Sequence, residues 1–346
     1  MIVYTGSVTA VQMRAIGRAS WLMGILWCGA CGSSGQPAPS YTPVSATSAG
    51  SVYTLALGDL KMVIDGAKGA RITEFSLDGA NVLTGRDLST TNYGSTYWPS
   101  PQSSWCAAGG GCWPPPAAID NLPYEGLIDD ATNSIQLTSG EAALEQFPGA
   151  SVVVTKTFTP VPDSGAIDVE YRLINATPLP YFLADVPPPV TVSVAPWQIS
   201  RVATGGLTFF GAGSGSVSYA ADSDPAFAIT ASGGAQWYPF APVSRYSKAF
   251  ADSSGWLAHV TPDRLLYLQS YPDIQPADAA PGEAEVEIFT NGDYVEIEPQ
   301  GALATLSEGQ SLTWTIRWKL RRVPDGTAIE AGSADLAAFA NDTLTK

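Results

Sequence analysis

The stretch Glu283–Gly301, EAEVEIFTNGDYVEIEPQG, predicts a β-hairpin. Its central dipeptide, Asn291-Gly292, lies between two segments in which apolar and charged residues alternate. Asn-Gly in this setting is the strongest short signal for a two-residue type I′ turn. Because successive side chains of a strand point to opposite faces, one face of the hairpin is apolar. Its members are Val286, Ile288, Val295 and Ile297. The hairpin is therefore expected in an antiparallel sheet with one buried face.

The other face of the predicted hairpin carries four glutamates. A two-residue turn pairs them as Glu287 with Glu296 and Glu285 with Glu298. Like charges directly opposite destabilise a sheet, so they need basic neighbours such as Arg317 and Lys319, a bound cation or raised pKa values. The simpler interpretation is that water solvates these charges on an acidic protein. Since a carboxyl with a raised pKa suits acid–base chemistry, Glu298 and Glu296 are candidate catalytic residues.

Strand patterns like these recur along most of the chain. Short β-branched and aromatic runs are separated by Gly, Pro, Asn and Asp. One late strand places five apolar side chains on one face, namely Leu312, Trp314, Ile316, Trp318 and Leu320. A helical pattern extends over several turns only in GSADLAAFANDTL near the C-terminus. The predicted fold class is all-β, as a large antiparallel sandwich or barrel.

The N-terminal residues show the succession of residue types found in a secretory signal. Arg14 and Arg18 precede the apolar run SWLMGILWCGAC. That run is shorter than the roughly 20 residues needed to cross a bilayer. Its end resembles a bacterial lipoprotein box, with Cys31 as the lipidated residue. An ordinary cleaved signal peptide is the alternative.

The chain divides into four predicted parts. They are a lipoprotein signal peptide over residues 1–31, a Ser-, Gly- and Pro-rich tether over 32–50, a β domain over 51–325 and a partly helical tail over 326–346. This organisation predicts export to the periplasm or cell surface, with lipid anchoring to a bacterial membrane.

The formal net charge of −15 bears on possible partners. Nucleic-acid binding needs basic patches that neutralise phosphates, so no nucleic-acid partner is expected. An acidic surface is repelled by anionic lipids, which leaves the lipid anchor as the expected membrane contact. No cofactor and no metal is expected, because the chain has a single histidine to offer as a ligand. A monomer is expected.

Two further cysteines, Cys106 and Cys112, enclose the sequence AAGGG. In an oxidising compartment two cysteines this close are most simply a disulfide that closes a small loop. The alternative, a metal site, lacks additional ligands.

The segment Asn92–Asn121 is rich in aromatic residues and prolines and nearly free of charge. Tyr and Trp rings stack on the apolar faces of sugars while their polar groups form hydrogen bonds. The candidate sugar-binding residues are Asn92, Tyr93, Trp98, Gln102, Trp105, Trp113, Asp120 and Asn121, together with Lys248. The alternative is that the rings cover one end of the sandwich as part of its core. The segment and the hairpin carboxylates are expected to line one pocket.

Six segments together resemble the bacterial domain family DUF4380, which is placed with the galactose mutarotase-like, or aldose 1-epimerase-like, β-supersandwiches. They are GARITEFSLDGANVLTG, NYGSTYWPSPQSSW, WPPPAAIDNLPYE, APWQISRVATGGLTFF, GWLAHV and the region from Ala280 to Leu320. The resemblance covers about residues 52–323, and the Trp-Pro-Ser-Pro-Gln and Trp-Pro-Pro-Pro motifs are its most specific parts. CAAGGGC looks like an insertion between them.

The resemblance implies a carbohydrate ligand on the concave face of a supersandwich. Active aldose epimerases use a glutamate on a late strand as base and a histidine as acid. Glu298 or Glu296 is then the candidate base, and His259 is the one candidate imidazole. Asp120, Lys248 or Tyr271 are alternative acids.

Three functions follow from these features. The first is an exported carbohydrate-active enzyme, such as an epimerase, a lyase or a hydrolase. The second is a non-catalytic lipoprotein that binds polysaccharide in the envelope. The third is a structural envelope protein whose aromatic rings only pack. The fold does not distinguish among them.

Overall fold

The computed structural model describes residues 42–107, 112–178 and 190–346. Its strands are β1 Val44–Ala49, β2 Val52–Leu57, β3 Leu60–Asp65, β4 Arg71–Leu77, β5 Ala80–Asn81, β6 Ser95–Ser100, β7 Glu125–Asp129, β8 Ser134–Thr138, β9 Ala142–Ala143, β10 Ser151–Val161, β11 Ala166–Asn175, β12 Val192–Ala203, β13 Leu207–Ala212, β14 Ser218–Tyr219, β15 Thr230–Ser232, β16 Ala235–Pro239, β17 Ser247–Ala251, β18 Ser253–Val260, β19 Leu265–Ser270, β20 Val286–Thr290, β21 Tyr294–Pro299, β22 Ala304–Leu306 and β23 Ser311–Arg322. The α-helices are α1 Ala117–Asp120 and α2 Ala334–Thr345, and short 3₁₀ helices cover Gln102–Trp105, Pro162–Ser164 and Pro276–Asp278.

The strands form two antiparallel sheets. The first has the order β1-β2-β3-β4-β6-β12-β21-β20-β17-β14, with β5 beside β4 and β22 beside β12. The second has the order β15-β16-β13-β18-β19-β23-β11-β10-β8-β7, with β9 beside β10. This architecture confirms the prediction of an all-β antiparallel sandwich.

Aromatic rings join the inner faces of the two sheets. Tyr97 of the first sheet stacks on Tyr171 of the second at 4.6 Å between ring centroids. Phe75 of the first sheet meets Trp318 of the second edge to face at 5.2 Å. All four rings are buried, so the inter-sheet core is closed to water.

A buried polar layer also connects the sheets. In strand β12, Gln198 Nε2 donates to Ser95 Oγ and to Ser200 Oγ, each at 2.6 Å. Gln198 Oε1 accepts a hydrogen bond from Gln269 of the second sheet. Ser200 Oγ lies 3.0 Å from Tyr267 Oη, also of the second sheet. The even-numbered side chains of this stretch therefore face inward, and the odd-numbered ones face away from the second sheet.

Helix α2 packs on the outer face of the second sheet. Leu336 and Ala340 are fully buried there among strand residues such as Leu266 and Leu268. Ser333 caps the helix by accepting a hydrogen bond from the Leu336 amide. The helix lies where the sequence pattern predicts one, and it covers apolar surface that would otherwise face water.

The hairpin of Glu283–Gly301 is present, but its predicted register is wrong. Phe289 pairs with Glu296, and Glu287 pairs with Glu298. The observed pairing is therefore shifted by two residues from the predicted one, and the turn between the strands is longer. The longer turn arises because Asn291 Oδ1 accepts hydrogen bonds from the backbone amides of Asp293 and Tyr294. Since the slip totals two residues, the faces predicted for the glutamates and the apolar residues are retained.

The interpretation that water solvates the hairpin glutamates is also wrong. Glu285, Glu287, Glu296 and Glu298 are all buried. Arg317 and Lys319 do not compensate them: Arg317 pairs with Asp168 at 2.7 Å, and Lys319 donates to the carbonyl oxygen of Thr343. Other cations take this role, as described below.

The β domain begins earlier than predicted. Strand β1 occupies residues 44–49, inside the predicted tether, and pairs along its whole length with β2. Residues 41–346 form one compact unit. The predicted signal peptide, with Cys31, and the tether as far as residue 41 lie outside the described residues. Within those residues, no helix has the length and apolarity of a membrane span.

Candidate functional site

A cavity of about 900 Å³ opens on the outer face of the first sheet. Its floor comes from strands β6, β12, β21, β20 and β17, which are successive neighbours in that sheet. Its walls come from two connecting segments, residues 86–93 and residues 113–121. The early aromatic segment and the late hairpin therefore meet in one cavity.

The cavity gathers most of the residues singled out in the sequence. Those that line it are Asn92, Tyr93, Trp98, Gln102, Trp113, Asp120, Asn121, Lys248, Glu296 and Glu298. Three candidates do not line it: Trp105, His259 and Tyr271, the last of which is buried with its hydroxyl 3.1 Å from Ser253 Oγ.

Lys248 joins the two buried carboxylates that face each other in the hairpin. Its ammonium nitrogen lies 2.5 Å from Glu287 Oε2 and 3.2 Å from Glu298 Oε2. It also lies 4.8 Å from the ring centroid of Trp197, within range of a cation–π contact. Glu287 is further held by a hydrogen bond from Gln300 Nε2 at 2.8 Å. One cation thus compensates the pair of glutamates that a plain sheet would not tolerate.

The three groups shift each other's pKa values. Burial raises the pKa of Glu298 to about 7, against the opposing charge of Lys248. Burial raises the pKa of Glu287 well above its usual range, and Glu298 adds to the rise. Burial alone would lower the pKa of Lys248, but the charges of Glu298 and Glu287 raise it above its usual value. The cavity therefore holds a carboxyl that exchanges a proton near neutral pH, beside a lysine whose charged form is favoured by the neighbouring carboxylates.

A second ion pair fixes Glu296. Arg201 is fully buried and donates from Nε to Glu296 Oε1 at 2.8 Å. Its Nη1 donates to Thr96 Oγ1 at 3.0 Å, and its guanidinium lies 5.2 Å from the ring centroid of Trp98. Among the described residues, no group donates to Glu296 Oε2. That oxygen is available to a ligand.

Tryptophan rings form the apolar wall of the cavity. Trp98 is the centre of the group, with Trp113 at 5.4 Å and Trp197 at 5.5 Å between centroids. The Trp98 indole nitrogen donates to Asp120 Oδ1 at 2.8 Å, which fixes its orientation. Trp113 is 54% exposed and stands at the rim. Such rings offer stacking surface to a sugar.

The segment that carries Trp113 is tied down at several points. The predicted disulfide between Cys106 and Cys112 is present, with 5.0 Å between the Cα atoms. Gln102 Nε2 donates to the Cys112 carbonyl oxygen at 3.1 Å. The Gln102 amide donates to Glu283 at 3.2 Å, which links the segment to the start of the hairpin.

Asp120 and Arg71 form a further part of the cavity wall. Both Asp120 oxygens accept from Arg71 Nη2, at 3.2 and 3.3 Å. Arg71 Nη1 donates to the carbonyl oxygens of Thr91 and Tyr93, and its guanidinium lies 4.5 Å from the Tyr93 ring centroid. Asn92 Nδ2 donates to Tyr294 Oη at 3.1 Å. These bonds hold residues 91–93 against the sheet and shape the entrance.

Trp105 lies in the core behind the cavity. It is 5% exposed, its indole nitrogen donates to the Pro99 carbonyl oxygen at 2.7 Å, and its ring packs 5.5 Å from that of Trp98. For this ring the alternative interpretation of the aromatic segment, as core, is the appropriate one.

His259 lies in strand β18 of the second sheet, away from the cavity. Its Nδ1 lies 3.0 Å from Thr208 Oγ1, and its ring is buried. Burial lowers the pKa of His259 to about 3, so the ring is neutral at ordinary pH. It cannot act as the acid for a ligand in the cavity.

Sequence reasoning missed several residues of the site. Arg201 and Trp197 lie in the run PWQISRVA, where an arginine inside an apolar strand was the available signal. Arg71 follows a glycine turn and carried no comparable signal. Tyr246 and Phe289 also line the cavity, with ring centroids 5.8 Å apart.

No metal-ligand cluster appears in the part of the chain that the structure describes, where no three His, Cys, Asp or Glu side chains are grouped as ligands.

Comparison of the sequence with protein-family models and with curated proteins gives no match. Among solved structures, a galactose mutarotase-like protein from Lactobacillus casei superimposes with a TM-score of 0.53 at 11% identity, over 78% of this chain and 100% of that one. A protein provisionally named aldose 1-epimerase from Escherichia coli K12 gives 0.52 at 14% identity, over 79% and 99%. Another of that name from Klebsiella pneumoniae gives 0.51 at 12%, over 85% and 83%. Identities this low show the fold alone, and they confirm the galactose mutarotase-like sandwich.

Proposed function

We propose that the protein binds a saccharide in the cavity and transfers protons on it, in the manner of an aldose epimerase. The observation that carries this proposal is Glu298, a buried carboxyl with a pKa of about 7 that lines the cavity beside Lys248. The tryptophan wall supplies stacking surface, and Asp120 with Asn121 supplies polar groups for hydroxyls.

Interconversion of two anomers uses these groups in a balanced step. Glu298 accepts the proton of the anomeric hydroxyl, the C1–O1 double bond forms, and the bond from C1 to the ring oxygen breaks. The ring oxygen takes a proton from Lys248. Protonation of Glu298 removes one of the negative charges that raise the pKa of Lys248. Lys248 is therefore a stronger acid at the stage when the ring oxygen takes its proton. Closure on the other face of the carbonyl reverses the transfers.

Replacement of Glu298 tests this role. Glu298→Gln should retain saccharide binding and lose turnover by a factor of about 10²–10⁴, the usual contribution of a general base. Turnover would be measured by polarimetry or NMR on a panel of free sugars and oligosaccharides, with binding measured by calorimetry. Glu125→Gln, an exposed carboxylate on strand β7, is the matched control. Full turnover in Glu298→Gln would exclude Glu298 as the base.

The second candidate is a non-catalytic saccharide-binding protein. It is favoured by the position of His259, which leaves the cavity without an imidazole. Saccharide binding with no turnover of any bound member of the panel would support it.

Export with a lipid anchor at Cys31 is part of the proposal. Its support is that residues 14–31 run from basic through apolar to small residues, and that a Ser-, Gly- and Pro-rich stretch follows them. A fatty-acid analogue should label the protein in cells, and Cys31→Ala should abolish the label. An unlabelled wild-type protein would rule out the anchor.

Membership of DUF4380 is also proposed, on the Trp-Pro-Ser-Pro-Gln and Trp-Pro-Pro-Pro motifs. Both motifs belong to the segment that builds the tryptophan wall, so the resemblance and the cavity involve the same residues.

A further inference from the structure

Positive charge is concentrated at one end of the cavity. Lys68, Arg71 and Arg86 all line it. The whole chain has 17 basic and 32 acidic residues, so a group of three basic side chains in one part of the cavity is unusual for this protein. Strand β4 and the segments beside it place them on the side of the cavity remote from Glu298.

Two of these three cations are free to meet a ligand. Arg71 is buried and its guanidinium is engaged by Asp120 and by the carbonyl oxygens of Thr91 and Tyr93. Arg86 is exposed, and its nearest carboxylate, Asp65, lies 3.9 Å away. Among the residues that the structure describes, none forms an ion pair with Lys68. Lys68 thus leaves positive charge uncompensated, and Arg86, whose ion pair with Asp65 is long and exposed to solvent, adds to it.

The Arg86 side chain is also held in place. Its Nη2 donates to Tyr93 Oη at 2.7 Å, and its guanidinium lies 4.8 Å from the Tyr93 ring centroid. Arg71 contacts the same ring at 4.5 Å. Tyr93 is itself buried in the wall, so a partly ordered guanidinium is presented to the cavity rather than a freely moving one.

The strand register gives the distance from this end to the carboxylates. Ile72 pairs with Ser95, which sets Arg71 beside Thr96, and Thr96 pairs with Ile199. Ser200 pairs with Ile297, which sets Ile199 beside Glu298. Arg71 and Glu298 are therefore three strand spacings apart, or about 14 Å between backbones. That span exceeds one pyranose ring and suits a short oligosaccharide.

We infer that the cavity takes an acidic oligosaccharide, with a carboxylate or sulfate group against Lys68 and Arg86 and a different sugar residue at Glu298 and Lys248. This inference rests on the proposed function and adds the substrate class. The group that is recognised and the group that reacts lie on different sugars of one chain.

Calorimetry with matched saccharides tests the inference. The probes are trisaccharides of galacturonate, glucuronate and mannuronate, each beside its carboxyl-reduced neutral form, together with the three monosaccharides. A sulfated version of each neutral form distinguishes sulfate from carboxylate recognition. At least one acidic trisaccharide should bind about tenfold or more tightly than its neutral form, and the difference should shrink in high salt.

A double variant, Lys68→Gln with Arg86→Gln, should weaken binding of that acidic trisaccharide by roughly tenfold. Its affinity for the neutral form should fall much less. Both side chains reach solvent, so the fold should persist. The control is Arg322→Gln, which removes an exposed arginine that pairs with Asp78 at 3.4 Å and does not line the cavity.

Three results would overturn the inference. Equal binding of all acidic and neutral partners would overturn it and leave the proposed function standing. A second contrary result is a uronate monosaccharide that binds as tightly as its trisaccharide and loses the same affinity in the double variant. The recognised charge would then lie on the reacting sugar itself. Failure of every saccharide, acidic or neutral, to bind would overturn the proposed function as well.

Discussion

Two tryptophans of the same segment should respond differently to replacement by alanine. Trp113 is exposed at the cavity rim, so Trp113→Ala should weaken saccharide binding about tenfold and leave the melting temperature unchanged. Trp105 is buried and bonded to Pro99, so Trp105→Ala should lower the free energy of unfolding by about 3–5 kcal/mol. Binding titrations and chemical denaturation would measure both effects. An equal loss of stability in the two variants would contradict the assignment of Trp113 to the rim.

The buried pair of Arg201 and Glu296 should show strong non-additivity. Arg201→Met leaves the Glu296 carboxylate without its partner, so it should destabilise the protein by about 3–5 kcal/mol. The double variant, Arg201→Met with Glu296→Met, removes both charges and should recover much of that loss. Urea denaturation of the two single variants and the double variant completes the cycle. Additive losses would show that the pair is not coupled.

The buried carboxyl of Glu298 predicts a pH dependence of stability. Its pKa is raised to about 7 in the folded state, so between its unfolded value and pH 7 the folded protein binds more protons than the unfolded chain. The contribution of Glu298 to the free energy of unfolding should therefore fall as pH rises through this window, whereas the contribution of His259, whose pKa is lowered to about 3, rises. Glu298→Gln should make the dependence shallower, although Glu285, whose pKa burial also raises to about 7, continues to contribute. An unchanged slope in the variant would contradict the raised pKa.

At the scale of elements, helix α2 should be part of the cooperative fold rather than a loose tail. Leu336→Ala removes a fully buried side chain from the outer face of the second sheet, so it should cost about 2–5 kcal/mol of stability. Ala338→Ser, on the exposed side of the same helix, is the matched control and should change little. Thermal denaturation monitored by circular dichroism would distinguish them. A Leu336→Ala variant as stable as the control would mean that the helix does not contribute.

Sequence patterns predicted elements well where alternation decides the outcome. The apolar faces of β20, β21 and β23 follow from side-chain alternation alone, and their residues are buried as expected apart from Leu312, which is half-buried. The hairpin register did not follow, because the side chain of Asn291 bonds two backbone amides and enlarges the turn. The burial of its glutamates did not follow either, since the compensating Lys248 lies 39 residues before Glu287 and 50 residues before Glu298 in the chain.

The same limit applies to the site. Aromatic and polar residue types predicted the wall around Trp98 and Trp113, because sugar stacking depends on residue type. Arg71 and Arg201 depend on contacts between distant strands, such as the bonds of Arg71 to residues 91 and 93, which no local pattern contains. His259 was misplaced because an imidazole on a strand has the same local pattern in a core as in a cavity.

At the scale of the whole molecule, residues 41–346 form one compact unit. A chain of residues 42–346 alone should therefore fold cooperatively and bind the same saccharides as the full-length protein. Coincident unfolding curves from tryptophan fluorescence and far-ultraviolet circular dichroism would show this. A further truncation that removes residues 42–49 should lower stability, because it deletes strand β1 from the edge of the first sheet. If that truncation melts at the same temperature, β1 is dispensable.

Strand β12 constrains how this protein can change over evolutionary time. Its odd-numbered residues from Trp197 to Arg201 lie on the side of the sheet that carries the cavity, where Trp197 lines the cavity and Arg201 bonds to Glu296. Gln198 and Ser200 bond to neighbours in the sheet and to the second sheet. One inserted or deleted codon here would exchange the two sets and send the arginine into the core. Point substitutions can therefore alter ligand preference in descendants, whereas changes of length are confined to the connecting segments around the cavity, such as residues 86–93.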